Sequence, residues 1–136
     1  MKLPFLAPLT ALAAAPAFSQ AIAPMAPSEY VMTAGASDLY EIQSSQIVLQ
    51  STADPMVKAF AQGMVRDHTK STAMVTAAAT KSNVAAAPPQ LMPLQAELIA
   101  ELQAENGAAR DAAYIAQQKV AHQQALNVQK AYAMEG

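Results

Sequence analysis

Apolar residues recur along this chain at helical spacing, with almost no stretch of the strict alternation that marks a strand. Val31, Ala34, Gly35, Asp38, Ile42, Ser45 and Leu49 fall on one face of a first predicted helix over about residues 28–51, flanked by Glu41 and Val48. Ser28 is placed to cap it, and Glu29 puts a negative charge in the first turn, where the helix dipole favours one. Asp54-Pro55 reads as a restart, a capping side chain followed by the imino acid that fits the first helical position. From there to Lys81 the apolar set is Val57, Phe60, Ala61, Met64, Val65, His68, Val75 and Ala78. So short a break between the two segments predicts an antiparallel helical hairpin.

Residues 83–93 contain Pro88, Pro89 and Pro93 and form the main loop, long enough to cross an end of a bundle. Leu94, Leu98, Ile99 and Leu102 give a short amphipathic helix, which Asn106-Gly107 closes. A last long helix follows over about 109–133, with Tyr114, Ile115, Gln118, His122, Ala125, Val128 and Tyr132 on its inner face. The pattern is therefore all-α: an antiparallel helical bundle of three long helices and one short one.

The first 21 residues break the pattern. Lys2 supplies a positive start, Leu3 to Ala15 is uncharged and apolar, and small residues suited to signal peptidase follow near Ala17, Ser19 and Ala21. The run is shorter than the ~20 residues a membrane span needs, and Pro4, Pro8 and Pro16 interrupt it. Residues 1–21 are thus expected to be a cleaved signal peptide, 22–27 a flexible Pro-rich leader and 28–136 the folded domain. The expected location is periplasmic or secreted, in a bacterium, with no stable membrane insertion after cleavage.

Composition adds exclusions. There is no Cys, so thiol redox chemistry and disulfides are ruled out, although an exported chain could form them. A net charge of −2 argues against a nucleic-acid partner. Four Gly, three Phe and no Trp disfavour a β sandwich or barrel. No phosphate loop, nucleophile elbow, zincin motif or dinucleotide fingerprint is present.

What chemistry remains is a small polar set on otherwise apolar faces: Asp38 and Glu41, Asp67 and His68, and His122. Two imidazoles and a carboxylate turned into a bundle are the donors a transition metal takes. Glu41, His68 and His122 are the candidate metal ligands, with Asp38 or Asp67 assisting, and Fe, Mn or Zn the candidate ions. The competing reading makes each inward His a core residue hydrogen-bonded to Glu41 or Asp38. Neither His belongs to the Glu-x-x-His pair of di-iron bundles, since Val65 and Lys119 stand three residues before them. Met56, Met64 and Met74 read as core filler, Glu97, Glu101 and Glu105 as a wet acidic stripe, and Gln117, Gln118, Gln123 and Gln124 as a solvated or inter-helix polar surface.

The run Phe60-Ala61-Gln62-Gly63-Met64-Val65-Arg66-Asp67-His68-Thr69 resembles the signature of exported bacterial proteins in domain-of-unknown-function family 4142. Tyr30-Val31, Asp38-Leu39-Tyr40-Glu41-Ile42, Leu98 to Leu102, Gly107, Asp111, Tyr114 and Ala121-His122 fit the same order, over residues 28–136. The resemblance implies an exported, ferritin-like helical bundle of uncharacterised function. It also implies a fourth long helix carrying another His, which would begin near Gly136; the chain is accordingly expected to be truncated there. An open groove between the long helices would follow, able to take a second copy or a helical partner. The leading functional expectation is a non-enzymatic exported protein with an envelope or stress role. The alternatives are a ferritin-like metal oxidase or peroxide scavenger, and a helical partner-binding module.

Overall fold

The computed structural model describes residues 24–135; the signal reading of 1–21 and the first two residues of the expected leader lie outside them. All regular structure among the described residues is helical: α1 (Pro27–Val48), α2 (Pro55–Lys81), α3 (Pro93–Ala104) and α4 (Gly107–Glu135). No helix among these is long and apolar enough to cross a membrane.

Three of the four helices begin with proline at their first residue, where a missing N–H costs nothing. At α1 this displaces the expected start: Pro27 opens the helix, and Ala26 occupies the cap without a side-chain bond. Asp54 caps α2 as its position predicts, accepting from the amides of Met56 at 2.7 Å and Val57 at 3.3 Å. For α3 the Gln95 side chain reaches back to the Met92 amide at 2.9 Å. α1 ends at Val48, short of the expected Ser51, and a tight turn carries the chain to α2. Gly107 takes a positive φ of 53° that few side chains tolerate, and it joins α3 to α4.

α1 is the hub. α2 packs antiparallel along one side of it, while α3 and α4 pack along the other. Ser45 faces Tyr114 and Tyr30 faces Gln129, so α4 also runs antiparallel to α1 and hence parallel to α2. The 83–92 loop brings Pro89 against Gly35, where an added Cβ would lie 3.3 Å from the proline ring. The core gathers Tyr40, Ile47, Val48, Val57, Ala61, Ile99, Leu102 and Tyr114. It is concentrated toward the end where α3 covers α1 and α4.

An open groove between the long helices was expected, and one is present. Phe60 is 43% exposed and Ile115 likewise 43%, although both fall on predicted inner faces; Ile42 is only half-buried. The α2–α4 side is a trough open to solvent, and no element among the described residues lies over those side chains. Gln117 and Gln118 are buried between helices, whereas Gln123 and Gln124 stay wet.

Candidate functional site

α1 supplies a buried polar floor, Asp38 and Glu41 one helical turn apart, which are 5% and 2% exposed; of the residues around it, Gln118 and His122 line the trough. α2 brings His68 over Asp38, and the ring Nδ1 donates to Oδ1 of the carboxylate at 2.7 Å. The Thr72 hydroxyl reaches the other carboxylate oxygen at 3.1 Å. α4 brings Gln118, whose amide nitrogen donates to Oε2 of Glu41 at 2.6 Å, and one turn later His122. His122 Nδ1 lies 2.9 Å from the Gln118 carbonyl. A carbonyl can only accept, so Nδ1 carries the proton and Nε2 is left without one on the neutral ring. The remaining Glu41 oxygen, Oε1, stands 3.9 Å from that same Nδ1.

The two imidazoles meet edge to face, with ring centres 6.2 Å apart, and Phe60 closes over His122 at 6.4 Å. Trough walls are apolar: Met56, Val57 and Phe60 from α2, Tyr114 and Ile115 from α4, with Lys119 on the rim.

Electrostatics follow burial. Loss of solvent pushes the Glu41 carboxyl above its ordinary range, opposed by the Gln118 hydrogen bond and by the two imidazoles. At His68 burial works against the charge, yet the Asp38 bond and the nearby Glu41 and Asp38 charges outweigh it and raise the pKa above the ordinary 6.5. Burial also lifts the Tyr114 hydroxyl to about 12, against the lowering effect of its Ser45 bond. Tyr40 moves upward for the same first reason, helped by the charge on Glu41.

The candidate set from the sequence is therefore largely brought together: Asp38, Glu41, His68 and His122 share one floor. Asp67 does not join them. It turns outward and pairs with Arg66 at 2.9 Å on the exposed face of α2. Among the described residues no three His, Asp or Glu donors stand arranged as a cage for a metal ion. The competing reading, a core histidine hydrogen-bonded to Asp38, describes His68 as it stands.

Two more residues matter here. Gln118, which the helical pattern put on the inner face, links Glu41 to α4, and its own Oε1 is buried without a partner. Arg110, 5% exposed, donates to the carbonyls of Ile47, Leu102 and Glu105 and to the Ser51 hydroxyl and Asn106 side chain. Its cation thereby satisfies the ends of α1 and α3 together, where the helix dipole is negative. One signal was present in the sequence, an arginine just after a helix stop.

The model of a family described as "Domain of unknown function (DUF4142)" matches residues 8–136. No curated protein and no solved structure matches the chain.

Proposed function

The chain belongs to the DUF4142 family, whose description assigns no activity, and we propose that it is an exported, non-enzymatic envelope protein that works by binding. Its working surface in this reading is the α2–α4 trough, and the occupant is a second copy of the chain. The observation that carries it is the trough itself: Met56 is 80% exposed and Phe60 and Ile115 43% each, side by side on parallel helices flanking α1. A fourth helix laid there would complete a four-helix bundle and remove these side chains from water, at roughly 1.5–3 kcal/mol for each large one fully covered. Because the trough walls are themselves exposed apolar helix faces, one copy can offer to another what it lacks, as a two-fold interface requires. The export signal and an envelope or stress role complete this reading. Sedimentation over a concentration series should show self-association that Phe60→Glu abolishes. A monomer at every concentration would sink the reading.

A second reading, a ferritin-like protein holding Fe, Mn or Zn in an oxidase or scavenging role, is favoured by one specific feature. Both imidazoles have Nδ1 tied, one to a carboxylate and one to a carbonyl, as metal-ligating histidines usually do. Two imidazoles on one tetrahedral ion have ring centres roughly 5 Å apart, given metal–nitrogen bonds of ~2 Å, so these rings, 6.2 Å apart, would have to draw together on binding. Glu41 would be the third donor, supplying charge to the ion. Titration with Zn(II), Mn(II) or Fe(II) should show one site per chain, lost in His68→Ala and in His122→Ala. No stoichiometric metal in protein isolated from the periplasm would remove this reading.

A further inference from the structure

A second cavity shares no lining residue with the trough. It is a cleft of about 800 Å³ between the first half of α1 and the second half of α4, with the start of α3 and His68 and Ser71 of α2 along its edges. Its origin is legible in side-chain size. Ala34 and Ser37 on α1 face Ala121 and Ala125 on α4, too short to meet across the gap. Two clasps keep the helices from collapsing onto it. At one end Tyr30 stacks on Tyr132 with ring centres 4.0 Å apart and donates to Gln129 at 2.7 Å. At the other end Tyr40 donates to Gln117 at 2.8 Å.

We propose that this cleft is a binding site for an uncharged amphiphile, an apolar molecule with one hydrogen-bonding end. Volume and lining fit the usual small-molecule site, mostly apolar with a few polar groups. Leu94 and Val120, 59% and 58% exposed, stand on the lining with no covering element and supply an apolar contact surface. Charge selects the class. Among the described residues no Lys, Arg or Glu lines the cleft. Its one basic and one acidic side chain, His68 and Asp38, are bonded to each other at 2.7 Å, so neither charge is left uncompensated for a phosphate, a fatty carboxylate or an ammonium group. Asp38 is 5% exposed and its other oxygen accepts from Thr72. Hydroxyls and amides such as Thr33, Ser37, Ser71 and Gln124 remain, and these suit an alcohol, amide or carbonyl head.

The test uses the full chain and a neutral fluorescent probe, N-phenylnaphthylamine. Binding should be saturable, and decanol should displace the probe well ahead of decanoate or decylamine. Ala125→Phe, which fills the cleft, should weaken binding by about tenfold or more, while Met74→Glu, at an exposed position outside both the cleft and the trough, leaves it unchanged. Ser37→Phe fills the same space from α1 and decides the matter if Ala125→Phe fails to give a native melt. Absence of saturable binding overturns the proposal. So does displacement led by either charged competitor, or loss of binding with Phe60→Glu while a cleft-filling variant keeps it.

Discussion

The two ends of α1 sit in unlike surroundings. Around Ile47 and Val48 the helix is enclosed by α2, α3 and α4, with Leu102 and Tyr114 wholly buried and Arg110 bonded to both adjoining helix ends. From Asp38 toward Pro27 the same helix borders the cleft, and the Tyr30–Tyr132 clasp joins it to α4. The difference is coverage. α3 has 12 residues against 29 in α4, so it can roof only one end of the long helices. Stability is concentrated under that roof, with the trough walls of Met56, Phe60 and Ile115 beside it, and the cleft lies beyond it.

Cutting the enclosed end should have the largest effect. Arg110→Ala strips donors from several buried carbonyls at once, and at about 1–3 kcal/mol for each unsatisfied group it should cost upward of ~4 kcal/mol in denaturant unfolding. Leu102→Ala, an apolar deletion at the same end, should cost about 3 kcal/mol through lost burial and a residual cavity. If either variant melts like the parent, the enclosed end is not where stability resides.

A pH series probes the boundary between the regions. His68 has a raised pKa, so the fold favours its protonated form; that contribution is complete below pH 6.5 and is lost as pH rises through the raised value. Glu41 is raised as well, so its protonated form is also favoured, and ionising it with rising pH works in the same direction. Thermal stability should therefore decline from mildly acidic toward alkaline pH, and His68→Gln should flatten that slope. A slope unchanged in the variant would show that His68 is not its source. The exposed trough wall should respond least: Met56 is 80% exposed, and Met56→Ala should fall within about 0.5 kcal/mol of the parent in the monomer.

Much of the helical layout was legible beforehand because its signals are local. Asp54-Pro55 starts α2 at the residue where the dipeptide chemistry puts it, and Gly107 takes the left-handed turn that its position predicts. The polar floor was partly legible for a related reason. Asp38, Glu41, His68 and His122 each interrupt an apolar stripe, and polar residues on a buried face must find one another or be left unpaired; His122 is the exception in burial, with its side chain 46% exposed at the trough. Asp67 could not be sorted the same way. It neighbours His68 in sequence, and a step of 100° about the helix axis turns it to the outside.

Sequence alone determined that this chain is helical, where the helices break, and which polar residues sit on inner faces, since spacing and capping act within a few residues. Tertiary structure decided which inner faces are covered. Phe60 and Ile115 carry the same helical signal as Val57 and Tyr114 and line the same trough, yet the first pair is left 43% exposed and the second pair is buried in the core. Periodicity names a face but not its neighbour. Only the length and placement of α3, packed against α1 and α4 and held at its C-terminal end by Arg110, settled where the core closes and where the molecule stays open.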